Sequence, residues 1–343
     1  MSADRSLQRL WYESRPRWLL VLMLPLSLLF LLTVYLRRAL YRMGLMRMRR
    51  LSRPVIVVGN LTAGGTGKTP FVIWLTEYLQ QHGLKVGVVL RGYGGISDHW
   101  PRVVDAATTT REVGDEAVLH FTRTGAIVVA APDRVAAAAR AIDLGAQVVV
   151  ADDGLQHYAL ARDVEIAVMD AQRNLGNGFV LPAGPLREPA SRLNSVNLIV
   201  RTHRSASAVA APAGHPCTVA VRTRLEEIVA LKSGERRPLS QLRGQRVHAV
   251  AGIGNPQAFF AALSAAGLIV NARALPDHAT IAASDILFSD GAPVLMTEKD
   301  AVKCRGFAGE QHWFVPMTLD LDAQARQTVT AVLGPVLAAT KSS

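Results

Sequence analysis

The stretch Val55-Ile-Val-Val-Gly-Asn-Leu-Thr-Ala-Gly-Gly-Thr-Gly-Lys-Thr69 decides the fold of this chain. It begins with a short apolar run typical of a buried strand, continues through a glycine-rich segment, and leads into an apolar stretch of helical length at 71–82. A strand, a glycine loop and a helix in this order form a phosphate-binding loop, because backbone N–H groups and the helix N-terminus hold phosphate oxygens. The sequence therefore predicts a nucleotide-binding α/β domain.

The phosphate loop departs from the strict G-x-x-x-x-G-K-[ST] pattern, because Thr62 stands where the first glycine belongs. Gly64 and Gly65 are expected to supply the missing flexibility. We expect Lys68 to reach the β- and γ-phosphates of a nucleotide and the hydroxyl of Thr69 to bind Mg²⁺. The predicted phosphate-binding residues are Gly64, Gly65, Thr66, Gly67, Lys68 and Thr69. A glycine-rich turn without a ligand is the alternative.

A second apolar run, Val148-Val-Val-Ala-Asp-Asp153, ends in two carboxylates. In an open α/β sheet the carboxyl ends of the strands form the ligand-binding edge, so these side chains are expected beside the phosphate loop. Asp152 or Asp153 would hold Mg²⁺ directly or through water, and the other would orient a water molecule or Lys68. A pair of helix-capping aspartates is the alternative.

Apolar runs and helical stretches alternate along the chain from residue 54. The runs at 55–58, 86–90, 127–130, 148–150, 164–169 and 198–200 are rich in Val and Ile, as expected of parallel strands buried on both faces. They predict a P-loop NTPase-like α/β fold with a doubly wound, mostly parallel sheet over 54–205. Runs at 247–251, 268–270, 294–296 and 313–315 predict a second, smaller α/β domain within 206–343, after an Ala/Pro-rich linker at 205–216.

Composition excludes several classes of protein. Of the 343 residues, 50% are hydrophobic and 19% are charged, which is incompatible with a disordered chain. The net charge is +11, but residues 1–53 carry +9 of it, so we expect no nucleic-acid-binding surface on the rest. The two cysteines, Cys217 and Cys304, stand far apart, which excludes a disulfide framework and a zinc ribbon.

A run of 19 residues without charge, 18–36, lies between the N-terminal arginines. Its helical length of roughly 28 Å is close to the thickness of a bilayer's hydrocarbon core. A signal peptide is the competing interpretation, but no small-x-small cleavage site follows, and Arg37 and Arg38 come at once. We therefore expect 1–53 to be an N-terminal membrane helix with a basic juxtamembrane stripe.

The flanking charges predict the orientation of this anchor. Two acids offset the four arginines before the run, whereas seven arginines and no acid lie between residues 37 and 53. The positive-inside bias therefore places everything after residue 37 in the cytoplasm, beside anionic head groups. Pro25 allows a second geometry, in which the helix is kinked and enters only one leaflet.

Three further polar groups are candidates for chemistry. Asp115, in Gly114-Asp-Glu116, opens an apolar helical stretch, where helix capping is the alternative role. The rigid loop 181–189 sets Arg187 beside Glu188. His278 follows an apolar run in a loop, where a lone histidine is more often structural than catalytic.

In combination these motifs carry a resemblance. The chain resembles the tetraacyldisaccharide 4'-kinase family of the lipid A pathway in its anchor, its shortened P-loop, Asp152-Asp-Gly-Leu-Gln-His157 and Leu181-Pro-Ala-Gly-Pro-Leu-Arg-Glu-Pro189. Further matches are Arg91-Gly-Tyr-Gly-Gly95, Gly114-Asp-Glu116, Ala251-Gly-Ile-Gly-Asn-Pro256, Pro276-Asp-His278 and Thr297-Glu-Lys-Asp-Ala-Val-Lys303. These motifs span nearly the whole chain and are specific in combination, although none is specific alone.

The resemblance implies a function and a role for each candidate. It implies ATP- and Mg²⁺-dependent phosphorylation of the 4'-hydroxyl of a tetraacylated glucosamine disaccharide 1-phosphate, at the cytoplasmic face of the inner membrane. It assigns Lys68 to catalysis within the phosphate loop, and it places Arg187 facing the phosphates. It assigns Asp115, assisted by His278, to accepting the proton of the attacking hydroxyl. The metal and phosphate region would comprise Thr69, Asp152, Asp153 and Glu188.

Two positions depart from the family pattern, and two other functions compete. Ala279 stands where the family commonly has a second histidine, and Leu90 where it often has a serine. A membrane-bound P-loop ATPase switch that binds partners is the alternative, but such switches carry Lys-Gly-Gly-x-Gly-Lys-Thr, and Ala63 occupies the first lysine position. A GTPase is disfavoured because Glu298 occupies the asparagine position of Asn-Lys-x-Asp.

Overall fold

The structure, a computed structural model, describes residues 10–13, 17–203, 215 and 217–341. Most of the expected linker at 205–216 lies outside the described residues, as do Arg5, Arg9 and Arg15 of the N-terminal flank. Within the described ranges the chain forms one nine-stranded sheet and one six-stranded sheet. The predicted α/β class is confirmed.

Helices and strands alternate along most of the chain. The helices are α1 (Arg17–Arg42), α2 (Lys68–Gln81), α3 (Thr110–Val113), α4 (Asp115–Thr124), α5 (Arg134–Asp143), α6 (Pro256–Ala265), α7 (Ala283–Ile286), α8 (Glu298–Cys304) and α9 (Ala323–Lys341), with 3-10 turns at Ala190–Ser195 and Leu239–Leu242. The strands are β1 (Val55–Gly59), β2 (Val86–Leu90), β3 (Arg102–Val103), β4 (Ile127–Ala130), β5 (Val148–Asp152), β6 (Val164–Asp170), β7 (Leu198–His203), β8 (Thr218–Arg224), β9 (Glu227–Ala230), β10 (Arg236–Pro238), β11 (Arg246–Ala251), β12 (Ile269–Ala274), β13 (Val294–Thr297), β14 (His312–Val315) and β15 (Thr318–Asp320).

The larger sheet has the order β15-β8-β7-β6-β1-β5-β2-β4-β3. Strands β8 to β4 in this order pair in parallel, and antiparallel strands stand at both edges. Strands β1, β2 and β5 are buried along their whole length, because helices cover both faces of the sheet. Helices α2, α4 and α9 pack on one face and α5 on the other, which confirms the doubly wound arrangement.

The segment 206–343 contributes to both sheets, which corrects its expected assignment to the smaller domain alone. Strand β8 pairs with β7, and β15 pairs with β8, so both belong to the larger sheet. Val221, Val329 and Leu333 are fully buried in the core of that sheet. The physical reason is that these elements cover apolar surface and an edge at β7 that would otherwise remain open.

The smaller sheet has the order β10-β9-β14-β13-β11-β12. Its central strands are parallel, and β9 and β10 close one edge in antiparallel pairing. Phe259, Phe260 and Leu263 of α6 are buried against it together with Trp313. All four apolar runs expected here form strands, and the run at 268–270 extends further, to Ala274.

Helix α1 is the one helix within the described residues that is long and apolar enough to cross a membrane by length and composition. Within Trp18–Arg42, a stretch of 18 residues has a mean hydropathy of 2.6, and only 6% of that stretch is buried. One side nevertheless rests on the protein: Ser27 is 3% exposed, and its hydroxyl donates to the carbonyl of Val180 (3.0 Å) and accepts from the N–H of Ala183 (2.9 Å). The opposite side exposes Trp18, Val21, Leu22, Leu26, Leu29 and Leu32.

Candidate active site

The glycine-rich loop connects the carboxyl end of β1 to the first residue of α2, Lys68. Gly67 has φ 82°, in the left-handed region that glycine tolerates best. A Cβ added there would lie 3.0 Å from Cγ2 of Thr202, so a side chain would be crowded as well as strained. The hydroxyl of Thr66 is buried without a hydrogen-bond partner among the described residues. The loop therefore has the shape of a phosphate cradle at a helix N-terminus.

The phosphate loop is fastened to its surroundings by hydrogen bonds. The side-chain amide of Asn60 donates to the carbonyl of Thr62 (2.7 Å), and the hydroxyl of Thr202 donates to the carbonyl of Thr66 (2.8 Å). On the other side, the N–H of Arg187 donates to the carbonyl of Leu61 (2.7 Å). The rigid loop 181–189 is thus held directly against the phosphate loop.

Lys68 forms a buried cluster with the two aspartates that end β5. Its Nζ lies 3.0 Å from Oδ1 of Asp153 and 3.4 Å from Oδ1 of Asp152. Burial opposes the charge on each of these groups, but mutual attraction outweighs it, so the pKa of Lys68 is raised and the pKa values of both aspartates are lowered. The cluster is therefore ionised, with two negative charges beside one lysine.

His120, on α4, holds the second oxygen of Asp152. Its Nε2 lies 2.9 Å from Oδ2 of Asp152, and the histidine side chain is fully buried. This contact turns Oδ1 of Asp152 towards Lys68, and that oxygen has no hydrogen-bond partner among the described residues. The carboxylate orientation is thus set by two neighbours.

Arg187 and Arg134 surround Asp153. Nη1 of Arg187 lies 3.0 and 2.9 Å from the two carboxylate oxygens, and Nη2 of Arg134 donates to the backbone carbonyl of Asp153 (3.0 Å). Asp153 itself has φ 52°, a conformation that these contacts help to hold. Lys68, Arg187 and Asp153, all predicted site residues, are therefore in direct contact.

Glu188 follows Arg187 but contacts different groups. Its side chain is 1% exposed, one oxygen accepts from the hydroxyl of Tyr158, and the other accepts from Nε2 of Gln156 (3.0 Å) and lies 3.7 Å from Arg192. Both oxygens are thus engaged by the protein. The structure brings Glu188 to the loop that carries Arg187, but its contacts are away from Lys68.

Asp115 and His278 lie together where the two sheets meet. Oδ2 of Asp115 is 3.3 Å from Nδ1 of His278 and 3.2 Å from Nζ of Lys303. Burial opposes ionisation, but the hydrogen bond from His278 and the charges of Lys299 and Lys303 lower the pKa of Asp115 to about 2. The same hydrogen bond raises the pKa of His278 above its ordinary value.

Lys299 completes this second cluster. Its Nζ lies 3.2 Å from Oε1 of Glu116 and 3.3 Å from Nε2 of His278. A lysine can only donate, so the contact is compatible with a neutral imidazole that donates from Nδ1 to Asp115 and accepts at Nε2. The ring centre of Tyr93 lies 5.0 Å from that of His278, in an edge-to-face arrangement.

The phosphate loop lies close to the loop that follows β11 of the smaller sheet. A Cβ added to Gly254, in the loop after β11, would lie 3.3 Å from the backbone nitrogen of Gly65. A second contact joins α4 to α8, because Nη1 of Arg123 lies 2.9 and 3.1 Å from the carboxylate oxygens of Glu298. The phosphate loop with Lys68 therefore borders the interface between the sheets at which Asp115 and His278 meet.

The donor set beside the phosphate loop fits Mg²⁺. Asp152 and Asp153 are ionised, and Oδ1 of Asp152, which faces Lys68 without a hydrogen-bond partner among the described residues, is an oxygen of the kind that Mg²⁺ prefers. Thr69 is the second residue of α2, at the same loop. No group of three or more His, Cys, Asp and Glu able to hold a metal is found in the described ranges. Such a protein cage is not needed, because Mg²⁺ bound with a nucleotide uses one or two carboxylates plus phosphates.

Sequence reasoning missed several of these side chains. Lys299 and Lys303 carry no predicted role beyond their place in the motif 297–303, although their spacing of four residues puts them on one face of α8. That spacing was the available signal. No signal pointed to His120, because its contact with Asp152 arises only when α4 packs beside β5.

Comparisons with known proteins identify relatives of the whole chain. A family model described as tetraacyldisaccharide-1-P 4'-kinase matches residues 19–334. The tetraacyldisaccharide 4'-kinase of Nitrosococcus oceani is 47% identical over 95% of this chain and 93% of its own, and that of Xanthomonas euvesicatoria is 48% identical over 91% of each. The crystal structure of LpxK from Aquifex aeolicus in complex with ATP has a TM-score of 0.80 and 28% identity, covering 93% of this chain and 99% of that one. The chain therefore belongs to the tetraacyldisaccharide 4'-kinase family, the kinases of lipid A biosynthesis.

Proposed function

We propose that the phosphoryl transfer of this kinase takes place at the interface of the two sheets, from the γ-phosphate of ATP to the 4'-hydroxyl of the acylated disaccharide 1-phosphate. The observation that carries the proposal is the arrangement of two charged clusters at one interface: Lys68 at a phosphate loop and Asp115 with His278 opposite. ATP as the nucleotide is supported by the ATP complex of the similar Aquifex aeolicus protein. A P-loop switch that only binds partners is not favoured, since the family consists of enzymes.

The phosphate loop would bind the triphosphate. Gly64, Gly65, Thr66 and Gly67 would present backbone N–H groups, and the N-terminus of α2 adds its positive end. In the structure Lys68 and Arg187 share Asp153 as their anionic partner. Both cations are therefore already positioned beside the phosphate loop before a nucleotide binds. Such a fixed positive environment stabilises the charge that develops during transfer.

Thr69, Asp152, Asp153 and Glu188 are the proposed Mg²⁺ and phosphate region. When bound, Mg²⁺ would neutralise charge on the β- and γ-phosphates. Asp152 and Asp153 fit this role best, because their carboxylates are ionised beside Lys68. Glu188 would enter it only if Tyr158 and Gln156 released its oxygens.

Asp115 and His278 would accept the proton of the attacking 4'-hydroxyl as one unit. Asp115 is 5% exposed and His278 is half-buried, so a hydroxyl that reaches them meets little competing water. Asp115 is ionised, and His278 keeps one ring nitrogen towards it. A carboxylate oriented by a histidine suffices as base for a sugar hydroxyl.

Helix α1 would bring the kinase to its lipid substrate at the cytoplasmic face of the inner membrane. Its exposed apolar side favours burial in one leaflet, because a full span would carry the backbone at Val180 and Ala183, bonded to Ser27, into hydrocarbon. The basic stripe at 37–53 adds attraction to anionic head groups.

Labelled ATP and a panel of acceptors test the reaction. We expect phosphate to appear on the acylated disaccharide 1-phosphate, and no transfer to the same lipid with its 4'-hydroxyl blocked. Protein acceptors and unacylated sugars serve as controls. Transfer to the blocked lipid, or ATP hydrolysis without any acceptor product, would contradict the proposal.

Two matched leucines test the membrane contact. Leu29, on α1, is 60% exposed, and Leu287, on the smaller sheet's side of the protein, is 61% exposed. We expect Leu29→Glu to weaken binding to phospholipid vesicles and Leu287→Glu to leave it unchanged, since only the first would place a charge in the acyl region. Equal vesicle binding by both variants would show that the exposed side of α1 does not enter the bilayer.

A further inference from the structure

A cavity of about 530 Å³ lies at the end of the larger sheet where its parallel strands begin, opposite the end that carries the phosphate loop. It is lined by Asp163, Glu165 and Asn197, at the amino ends of β6 and β7, whereas the phosphate loop follows the carboxyl end of β1. The five residues of β1 separate these two ends of the sheet by about 16 Å at roughly 3.3 Å per residue. The cavity therefore lies at the other end of the strands from Lys68, and it borders the active-site region only through Tyr158 and Arg192, which also contact Glu188.

The lining of this cavity is strongly basic. Its arginines are Arg38, Arg42, Arg50, Arg162 and Arg192, against the carboxylates of Asp163 and Glu165. Arg50 pairs with Asp163 (3.0 Å), and Arg162 and Arg192 share Glu165 (2.9 and 2.5 Å). Arg38 and Arg42, one turn apart on α1, form no ion pair with a carboxylate in the part of the chain that the structure describes. Their charges are available to an anion.

The deeper arginines are held in place before any ligand arrives. The side chains of Arg162 and Arg192 are 10% and 3% exposed. Their guanidinium carbons lie 5.5 and 6.0 Å from the ring centre of Tyr158, and the ring of Tyr41 lies 5.7 Å from it. Because these side chains are already ordered, binding an anion costs little further conformational entropy. The cavity is thus a built site, unlike the mobile charges of a basic surface.

The position of the cavity points to the source of the anion. One wall is formed by α1 just after its apolar run ends at residue 36, which is the depth of the phospholipid head groups when α1 lies in the membrane. Guanidinium groups bind phosphate oxygens through paired N–H donors. Basic pockets beside membrane helices on the cytoplasmic side are known binding sites for anionic head groups.

We propose that this cavity binds the phosphate group of an anionic membrane phospholipid, held by Arg38 and Arg42 of α1 beside the ordered pair of Arg162 and Glu165. The proposal rests on the membrane association of α1 inferred above. It differs in place from the site of the attacking hydroxyl, because Asp115 lies where the two sheets meet, whereas the cavity lies at the amino ends of β6 and β7. The bound lipid would fix α1 against the kinase body.

Native mass spectrometry of the full-length protein in a non-ionic detergent tests the site. The probes are phosphatidylglycerol, phosphatidylcholine and inorganic phosphate, at high salt so that diffuse surface attraction is screened. We expect phosphatidylglycerol to be retained over phosphatidylcholine, and the double variant Arg38→Gln, Arg42→Gln to lose about tenfold in that preference, as for two charge-assisted contacts. The control is Arg47→Gln, Arg53→Gln, which removes the same charge from the basic stripe outside the cavity.

Several outcomes would overturn the proposal. Equal losses in the two double variants would mean that charge alone attracts the lipid. Retention of phosphatidylcholine as strongly as phosphatidylglycerol would show that the cavity does not select an anionic head group. Displacement of phosphatidylglycerol by inorganic phosphate at equal concentration would show that the ligand is a free phosphate and not a lipid. A second variant, Ala161→Phe, fills the cavity without changing charge, and we expect it to lose the same preference.

The lipid measurement and the kinase assay fail independently. Retention of phosphatidylglycerol is read without ATP or acceptor, so a chain that binds this lipid but phosphorylates no disaccharide would contradict the proposed function and leave the cavity site standing. A chain that phosphorylates the disaccharide but shows no lipid preference would contradict the cavity site and leave the proposed function standing.

Discussion

The two charged clusters of the site differ in where their members come from. Lys68, Asp152 and Asp153 all belong to the larger sheet and its loops, and β1 pairs directly with β5 at Val58 and Asp152. In contrast, Asp115 begins α4, which packs on the larger sheet. Its partner His278 lies in the loop after β12 of the smaller sheet. The first cluster is therefore a property of one sheet, and the second exists only while the two sheets are in contact.

This difference separates binding from chemistry. A cluster built on one hydrogen-bonded sheet keeps its geometry whatever the smaller sheet does, so nucleotide phosphates can bind first. A cluster shared between two sheets is sensitive to any change in their contact, as is common for sites at domain interfaces. The comparison predicts the largest loss of transfer for damage to the first cluster, a loss of at most similar size for the shared cluster, and a smaller loss for damage to the contact between the sheets alone.

The largest effect is expected for Lys68→Ala. We expect phosphoryl transfer to fall by about 100-fold or more, because the variant removes the cation that faces the transferring phosphates. The measurement is kcat with labelled ATP, and the matched control is Lys85→Ala, at an exposed lysine before β2. Activity of the Lys68 variant within about threefold of wild type would contradict the role of Lys68 at the transferring phosphates.

The second effect concerns the shared cluster. We expect Asp115→Ala and His278→Ala each to lower kcat by about 100-fold, since general-base contributions are of that order. The double variant should be no more than about threefold worse than the poorer single one, because residues that act as a unit are not additive. Strictly multiplicative losses would show that Asp115 and His278 act separately.

A smaller effect is expected at the brace between α4 and α8. Glu298→Gln weakens the pair with Arg123, which joins α4 to α8 next to the second cluster without contacting Asp115 or His278. We expect kcat to fall about threefold to tenfold with the KM for ATP unchanged, corresponding to roughly 1 kcal/mol of coupling. The control is Asp320→Asn, which loosens the Arg224 pair within the larger sheet alone. A change in the KM for ATP alone would contradict the comparison.

The smallest effect is a change in the pKa of His278. Its hydrogen bond with Asp115 raises that pKa, so Asp115→Asn should lower it. The interaction contributes stability that is fully present below the unfolded pKa of about 6.5 and is lost as pH rises through the raised value. NMR titration of the imidazole measures the shift, and an unchanged pKa in the variant would mean that the two side chains are not in contact in solution.

Much of the fold followed from local patterns. The Val-rich runs at 55–58, 86–90 and 148–150 became buried parallel strands, because side chains that face helices on both sides must all be apolar. The boundary at 206 was less successful. Strand β8 continues the larger sheet, and nothing in its sequence distinguishes a further strand of this sheet from the first strand of a new unit.

The sequence by itself determined the phosphate loop, because a strand, glycines and a helix in one continuous stretch bring Lys68 and Thr69 to a helix N-terminus by local geometry. It also determined the apolar character of α1. Only the tertiary structure decided which distant groups meet: His120 on Asp152, Lys303 on Asp115, and the basic cavity between α1 and the far edge of the sheet. The physical reason is that such contacts depend on the packing of whole elements, which side-chain spacing along one element does not encode.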